Sequence, residues 1–368
     1  MKNFFNHLIS FLILPQPIPK FCHRLPLVSL KNFYNNKKVT NIYSTKLFIH
    51  NSIRKIHTSL NNENSSLNPW FITGFTDGEG SFSFTIKKDS TTIGWNVGLE
   101  YKLVAKYNAA NLKMFEAIKN FFGFGHIRIT KSKGVNNVIR FEVNSLQDCL
   151  KIREHFINFP LMSYKLVHFL LWCSVIDLKI KKEHLTLPGL LKIIALKAHS
   201  PFELSPKMLD HFPNYTPLEA PKYSPNFINM NIHWIFGFMN ADGHFIINIK
   251  KNQNTKSGKS IHFLIQITQH NKSLIVLEEI KKFIGAGKIY SAGSDKNISN
   301  LKITNLLEIK KFIELFREAN LQGAKAIDYS DFCMAIKLVN HKVHLSKGGG
   351  ELLENFSKNM NVGRTKFE

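Results

Sequence analysis

The amino-acid sequence predicts an α+β fold composed of two similar repeats joined in pseudo-twofold fashion. The stretch WFITGFTDGEGSF at residues 70–82 returns as HWIFGFMNADGHF at residues 233–245. The same succession of strand and helix patterns follows each copy, which indicates an internal duplication. Six of the 13 prolines lie in residues 200–230, between the two copies. Such a proline-rich segment is typical of a linker without another helix or strand.

These patterns divide the chain into four parts. Residues 1–65 form a basic N-terminal extension, 66–199 the first repeat, 200–230 the linker and 231–368 the second repeat. Within each repeat, the hydrophobic periodicity predicts a helix, two strands, a second helix, two more strands and further helices.

Each repeat begins with a short apolar helix that ends in acidic residues. Small residues recur four positions apart, at Gly74 and Gly78 in the first copy and at Gly237 and Ala241 in the second. Small residues at this interval lie on one helix face and let two helix backbones approach closely. We therefore predict that the two motif helices pack on each other. Glu79 and Asp242 would then lie side by side at the ends of the pair.

An alternating strand follows each motif helix, SFSFTIK in the first repeat and HFIINIK in the second. A period of two places Phe82, Phe84 and Ile86 on one face of the first strand and its polar residues on the other. After the second strand, a helix ends at Gly123 in the first repeat and at Gly285 in the second. Both glycines suit a left-handed C-cap.

After the last two strands of each repeat, a capping pattern marks the N-terminus of a further helix. Ser145 is followed three residues later by Asp148, and Asn305 is followed three residues later by Glu308. This spacing is typical of the N-terminus of a helix, where a short polar side chain caps the first free N–H groups. We predict that helices begin at these two positions.

The composition favours a polyanionic partner. The chain carries 49 Lys and Arg against 26 Asp and Glu, which gives a net charge of +23. This balance favours nucleic acid over an anionic membrane surface. No apolar run approaches the roughly 20 residues that a membrane span needs. The four cysteines form no CxxC pair, so a zinc finger and a disulfide framework are both disfavoured, as expected for a reducing compartment.

The N-terminal extension differs from the rest of the chain. Residues 1–65 hold nine Lys and Arg but a single acid, Glu63. A basic, acid-poor segment rich in Ser and Asn is typical of a mitochondrial presequence. A disordered basic arm and a remnant of upstream coding sequence are the alternatives. In every case we exclude the segment from the fold.

The paired acids predict a metal site. Two carboxylates brought close together repel each other unless a positive charge lies between them. Hard divalent cations with oxygen ligands, above all Mg²⁺, suit such a position. These ions can activate water and stabilise a leaving oxygen in phosphodiester hydrolysis. One such acid could simply cap a turn, but two at the same place in a repeat favour a shared function.

The two motifs resemble those of the single-chain LAGLIDADG homing endonucleases, in particular the intron-encoded type of fungal mitochondria. The resemblance covers about residues 67–365, including HFPNYTP in the linker and KNMNVGR near the end. It implies two curved antiparallel sheets that form a saddle over double-stranded DNA, with the motif helices at the centre. It also implies a mitochondrial monomer that cuts a long asymmetric target with Mg²⁺ or Mn²⁺, leaves short 3′ overhangs and promotes homing of a group I intron.

The resemblance also implies which residues form the metal sites. Carried over by position, Glu79 and Asp242 are the metal-binding acids, because each is the last acid of its motif. The backbone carbonyls of Gly78 and Ala241 are further implied ligands. One departure from the family pattern is Asn240, which replaces the usual acid two residues before Asp242.

Further catalytic residues follow from the same comparison. The family places a basic residue near the scissile phosphates, and FPLMSYKLVHF and ANLQGAKAIDY align there, which gives Lys165 and Lys325. A water-organising polar residue on the second strand corresponds to Gln269 in the second repeat and to Lys106 in the first. A lysine where glutamine is common is a second departure.

The solvent-facing side of the strands is expected to contact DNA. Base edges in the major groove suit Arg128, Arg140, Asn248 and Lys288, while lysines suit phosphates. His244 also belongs to this surface, although the family has a small residue there. The other predicted contacts are Ser81, Ser83, Thr85, Lys87, Lys106 and Lys250.

Several other functions are compatible with parts of the sequence. An RNA maturase of the same fold, which would assist splicing of its host intron RNA, is the main alternative. An unrelated nuclease core could use Asp77 with Glu100 and Lys102, which form an acid-x-Lys pattern. A histidine-metal nuclease at His270 and Asn271 lacks its partners, and a non-catalytic DNA-binding module does not explain two acids in register.

Overall fold

The structure is a computed structural model. It describes residues 67–90, 93–130, 137–201, 204, 206–213, 215–216, 218–255, 258–291, 297–317 and 321–361. The predicted presequence or basic arm in residues 1–65 lies outside the described residues, as do the last residues, 362–368.

The first repeat alternates helices and strands in the predicted order. Its elements are α1 (Pro69–Glu79), β1 (Gly80–Lys88), β2 (Trp95–Lys106), α2 (Ala109–Phe122), β3 (His126–Thr130), β4 (Val138–Val143), α3 (Leu146–Asn158), α4 (Lys165–Ile180) and α5 (Leu187–Lys197). A short helix, α6 (Pro206–His211), follows between the repeats.

The second repeat has the same order. Its elements are α7 (Ile232–Asp242), β5 (Gly243–Lys251), β6 (Lys259–His270), α8 (Leu274–Ile284), β7 (Lys288–Ser291), β8 (Ile298–Ile303), α9 (Leu306–Leu315), α10 (Gly323–Asn340) and α11 (Lys347–Asn359). A 3-10 turn, Asn271–Ser273, precedes α8 where the first repeat has an additional turn of α2.

Each repeat contains one four-stranded antiparallel sheet. The strand orders are β1-β2-β4-β3 and β5-β6-β8-β7, so the two sheets have the same topology. One face of each sheet is covered by helices and carries the buried residues, among them Phe82 and Tyr101 in the first and Phe245 and Ile265 in the second. This arrangement confirms the predicted α+β fold of two repeats, each an antiparallel sheet with flanking helices.

The predicted helix ends are confirmed. Gly123 and Gly285 close α2 and α8 in the left-handed conformation, with φ of 75° and 66°. Ser145 Oγ accepts a hydrogen bond from the Asp148 backbone N–H at 3.1 Å, and Asn305 Oδ1 accepts one from Leu307 N–H at 2.8 Å. The local sequence therefore sets where these helices stop and start.

The proline-rich segment is more ordered than predicted. The expectation of no further element is wrong at α6, because proline is tolerated in the first turn of a helix. Phe212 follows α6 and packs against Trp95 of β2, with ring centroids 5.3 Å apart. Farther along, the Tyr223 hydroxyl donates to the Met162 carbonyl at 2.7 Å. The segment thus covers part of the first repeat.

Among the described helices, none is both long enough and apolar enough to cross a membrane.

Candidate active site at the paired helix ends

The motif helices α1 and α7 pack directly on each other through their small residues. A Cβ atom added at Gly74 would lie 1.9 Å from the Trp234 carbonyl oxygen of the facing helix. One added at Gly237 would lie 2.0 Å from the Phe71 carbonyl oxygen. No side chain fits at such distances, so glycine is required at both positions. The predicted helix interface is confirmed.

This packing brings the two acids together. Glu79 is the last residue of α1 and Asp242 is the last residue of α7. Next to them, a Cβ atom at Gly78 would lie 2.1 Å from the Ala241 Cβ and 3.0 Å from Asp242 Oδ2. The helix interface therefore explains why each acid follows an apolar helix. The helices meet in the core, and their ends project the carboxylates to one place.

The pKa values of both carboxylates are raised at this place. Burial raises the pKa of Glu79, and the negative charge of Asp242 raises it further. Glu79 is nevertheless exposed to solvent, so part of this effect is screened. Burial raises the pKa of Asp242 from 3.8 to about 6, against the opposing influence of Lys165 and other polar neighbours. The site thus favours a positive charge between the acids.

Two lysines flank the acids, one from each repeat. Lys165 is the first residue of α4, and its ammonium donates to the Gly78 carbonyl oxygen. Lys325 lies in the first turn of α10 and donates to the Gly243 carbonyl oxygen at 2.6 Å. Burial lowers the pKa of both lysines, while Asp242 and Glu79 oppose this shift. The two lysines therefore bind differently placed carbonyl groups. Lys165 binds the residue before Glu79, whereas Lys325 binds the residue after Asp242.

Gln269 lies beside the second acid, where its side-chain amide donates to Asp242 Oδ2. The strand register shows what occupies the equivalent place in the first repeat. Gly80 pairs with Leu103 and Gly243 pairs with Ile267, so Gln269 corresponds to Ala105.

The prediction that Lys106 is the counterpart of Gln269 is therefore wrong. By the same register, Lys106 corresponds to His270, on the opposite face of the sheet from Gln269. The resemblance alone gave this position, whereas the pairing of β2 with β1 and of β6 with β5 fixes which residues are equivalent. The first repeat consequently has no amide side chain at this place.

Asp77 has a role that the sequence did not indicate. It is buried and accepts hydrogen bonds at 2.9 Å from the Met162 and Ser163 backbone N–H groups. It also accepts from the Ser163 hydroxyl at 2.6 Å and from Trp234 Nε1 at 2.9 Å. These contacts fix the segment just before Lys165 and join it to the other motif helix. Asp77 is a positioning residue.

Asn240 plays the corresponding part in the second repeat. Its Oδ1 accepts from the Gln322 backbone N–H at 3.0 Å, and Gln322 is the N-cap of the helix that carries Lys325. An amide oxygen suffices for one such bond, so the absence of an acid here leaves the anchoring intact. In both motif helices, a buried polar residue lies two positions before the acid. This pattern is the sequence signal that could have indicated the anchoring role of Asp77 and Asn240.

The alternative nuclease core is excluded by these contacts. The carboxyl group of Asp77 is enclosed by its donors in the core. Glu100 and Lys102 lie on the helix-free face of the first sheet and form an ion pair there, with Nζ and Oε2 2.9 Å apart. The three side chains do not meet. Within the described ranges, His270 belongs to no group of three or more His, Cys, Asp or Glu side chains that could hold a metal.

The predicted DNA-contacting residues share the helix-free faces of the two sheets. The strand pairing places Ser81, Ser83, Thr85, Lys87, Lys106, Arg128 and Arg140 on this face of the first sheet. It places His244, Asn248, Lys250 and Lys288 on this face of the second. Ser83 differs from the expectation, because it is only 6% exposed and its hydroxyl donates to Glu100 at 3.1 Å.

A protein-family model matches the sequence of both repeats. The model, described as LAGLIDADG endonuclease, covers residues 72–176 and 235–336, one match in each repeat. The chain belongs to the LAGLIDADG endonuclease family. Each matched region includes most of a motif helix with its acid and extends through the sheet to the helix that carries the lysine.

Two curated proteins of a fungus are similar to most of this chain. A probable intron-encoded endonuclease 3 of Neurospora crassa is 28% identical over 78% of this chain and 53% of its own length. A probable intron-encoded endonuclease 2 of the same fungus is 28% identical over 88% of this chain and 70% of its own length. The chain therefore spans about half the length of the first of these relatives.

Solved LAGLIDADG structures have the same fold. I-SmaMI bound to cleaved DNA superposes with a TM-score of 0.76 at 32% identity, covering 82% of this chain and 100% of that one. I-LtrWI bound to target DNA superposes with a TM-score of 0.73 at 28% identity, covering 80% and 98%. I-SmaMI has also been solved with uncleaved DNA in the presence of calcium ions.

The residues at the helix ends fit a hard divalent cation. Within the described ranges, no group of three or more His, Cys, Asp or Glu side chains is arranged to hold a metal. Two carboxylates and nearby carbonyls instead suit an ion that completes its shell with water and substrate oxygens, as Mg²⁺ does. The negative ends of both helix dipoles point to the same place and favour a cation.

The raised pKa of Asp242 predicts a metal effect on stability that depends on pH. Since the folded pKa of about 6 exceeds the ordinary 3.8, ionising Asp242 costs stability as pH rises through this window. We expect Mg²⁺ to raise the melting temperature at pH 7.5, and to lose this effect below about pH 6. Thermal unfolding with and without Mg²⁺ measures this. An equal Mg²⁺ effect in Asp242→Asn would contradict it.

Proposed function

We propose that this chain is a site-specific homing endonuclease. It hydrolyses both strands of a long asymmetric DNA target with Mg²⁺ or Mn²⁺, leaves short 3′ overhangs and promotes intron homing. The observation that carries this proposal is the placement of Glu79 and Asp242 side by side, between Lys165 and Lys325. Family membership and the DNA-bound relatives support the same function.

The chain's own residues divide the chemistry between them. When bound, the metal would supply Lewis-acid stabilisation of phosphate oxygens and a more acidic water. Glu79 and Asp242 would hold it, with the carbonyls of Gly78 and Ala241 as further oxygen ligands. The Gly78 carbonyl keeps a second lone pair beside its bond to Lys165. The lysines balance the negative charge that develops on each attacked phosphate. Gln269 holds the Asp242 carboxylate in place.

The helix-free faces of the sheets provide the DNA-binding surface. Basic side chains on these faces contact phosphates and guanine edges, while the polar residues between them contact other base edges. The basic residues are Lys87, Lys102, Lys106, Arg128 and Arg140 in the first sheet, and Lys250, Lys288 and Lys302 in the second. Since one chain supplies two different faces, a monomer recognises an asymmetric target, whereas a homodimer requires a palindrome.

The relatives support a mitochondrial setting. Besides the Neurospora proteins, a protein in ND4 intron 1 of Podospora anserina is 33% identical over 33% of this chain. We infer that this protein also acts in mitochondria. An RNA maturase role at the same basic surface would not need the paired acids and lysines, so their presence favours the nuclease.

The proposed function is tested with a pool of randomised DNA duplexes. Incubating the purified full-length protein with the pool and Mg²⁺, followed by sequencing of new ends, is expected to yield one asymmetric consensus with short 3′ overhangs. A pool that is bound selectively but never cut would contradict the nuclease and leave a DNA-binding or splicing role.

We expect the two strands to be cut at unequal rates. Gln269 fixes Asp242, whereas Ala105 provides no such contact to Glu79, and the two lysines bind differently placed carbonyls. We therefore expect the DNA strand whose scissile phosphate lies beside Asp242 to be cut first. Gln269→Ala is expected to lower the cleavage rate of that strand selectively. Strand-labelled products of a supercoiled plasmid measure both rates. Equal rates on a palindromic preferred site would contradict the assignment.

Binding is expected to depend strongly on salt. Each phosphate contact releases counterions, so log affinity falls with log salt by about 0.9 per contact, and about six contacts give a slope near −5. Titrations of a labelled target at several salt concentrations give this slope. A nearly flat dependence would argue against nucleic acid as the partner.

A further inference from the structure

Among the differences between the helix-free faces of the two sheets, one concerns a pair of facing residues at equivalent positions. Ser83 and Ile246 each lie three residues after the glycine that begins the first strand of their sheet. Ser83 pairs with Glu100, and Ile246 pairs with Leu264. A polar pair with a carboxylate in one repeat thus corresponds to a fully apolar pair in the other. The two pairs stand at the same distance along their strands from the active site.

In the first repeat, an ion pair is held in a fixed position. Glu100 Oε2 accepts from the Ser83 hydroxyl at 3.1 Å and from Lys102 Nζ at 2.9 Å. The Lys102 and Glu100 side chains remain 26% and 29% exposed, while Ser83 is buried beneath them. The pair is therefore both ordered by the sheet and accessible to a ligand on the helix-free face.

An accessible ion pair presents an acceptor next to a donor. In the major groove, cytosine offers its N4 amino group as a donor, and its partner guanine offers O6 and N7 as acceptors. Glu100 and Lys102 match these groups across one base pair. A thymine methyl group in the same place would remove water from the ion pair. It would offer no hydrogen bond in place of those that the water had made. The first repeat is thus complementary to a C·G pair.

In the second repeat, the apolar pair is not part of the core. Ile246 and Leu264 alternate with the core residues of their strands, so both point to the helix-free face, where they are half-buried. Their neighbours on this face, Gln266 and Asn248, are polar. The only apolar group that the major groove offers is the methyl group of thymine.

We propose that the two repeats read different base pairs at equivalent places in the target. The first repeat reads a C·G pair through Glu100 and Lys102, and the second reads the methyl group of a thymine through Ile246 and Leu264. This inference rests on the proposed function, because it assigns specificity to the same DNA-binding faces. It predicts that the two base pairs lie equally far from the centre of the cut, on opposite sides.

Selection from randomised duplexes tests this assignment. The full-length protein and the variants Glu100→Gln and Leu264→Gln are each incubated with the pool, and both cut and bound fractions are sequenced. We expect Glu100→Gln to lose the C·G preference at one position of one half-site by about tenfold or more. Leu264→Gln is expected to lose the thymine preference in the other half-site, and Leu264→Met is expected to keep it.

Matched controls use the same substitutions on surfaces away from the sheets. Glu116→Gln on α2 and Leu307→Gln on α9 replace exposed residues and are expected to leave the consensus unchanged. If the wild type cuts a defined site but neither sheet variant changes a preference, or the changes fall at unequal distances from the cut, this inference is overturned. If the wild type neither cuts nor binds selectively, the proposed function itself fails.

Discussion

Replacing Glu79 with Gln or Asp242 with Asn is expected to abolish double-strand cleavage while leaving DNA affinity within about tenfold, or about 1.4 kcal/mol. Each substitution keeps the size of the side chain but removes a negative charge from the paired helix ends. The site then lacks one of the two anionic ligands for the cation, whereas the binding surface on the two sheets is unchanged. The substitutions are therefore expected to remove cleavage activity but to change DNA affinity little.

The experiment compares cleavage rates and dissociation constants of both purified variants on the selected target in Mg²⁺. Glu116→Gln provides the matched control, because it removes the same charge from an exposed position on α2. Both variants should remain at least as stable as the wild type without metal, since each relieves repulsion between the acids. Cleavage of both strands at the wild-type rate by either variant would disprove the metal-holding role.

Replacing Gly74 or Gly237 with Ala is expected to destabilise the protein by about 3 kcal/mol. The added methyl group would lie 1.9 Å from the Trp234 carbonyl oxygen in the first case and 2.0 Å from the Phe71 carbonyl oxygen in the second. Both obstacles are backbone atoms, so the helices must move apart. Because Glu79 and Asp242 end these helices, a folded variant should also lose cleavage.

A third helical glycine provides the control for this prediction. Gly350 lies within α11. A Cβ atom added there would lie 3.7 Å from the His344 carbonyl oxygen, which is an ordinary van der Waals contact. Gly350→Ala should therefore stabilise the protein by about 0.5–1 kcal/mol through helix propensity. Urea unfolding of the full chain measures all three variants. A Gly74→Ala protein as stable as the wild type would refute the close helix contact.

The sequence alone determined the parts of this protein that depend on local pattern. The repeated motif established the duplication, and small residues four apart identified the helix face that packs on its partner. Alternating polarity assigned residues of β1 and β5 to the buried or the open face of each sheet. Glycine and short polar residues set the ends of α2, α3, α8 and α9. These features need only neighbouring residues, so a single sequence suffices to predict them.

The tertiary structure decided which distant residues meet. Asp77 contacts Ser163, 86 residues away, and Trp234 in the other repeat, and no local pattern encodes such partners. Ala105 rather than Lys106 corresponds to Gln269, because the equivalence of two strand residues follows from hydrogen-bond pairing with the neighbouring strand. Ser83 is covered by an ion pair from the adjacent strand. The acids were predictable because they end a patterned helix, whereas the residues that position the lysines depend on packing between segments far apart in the chain.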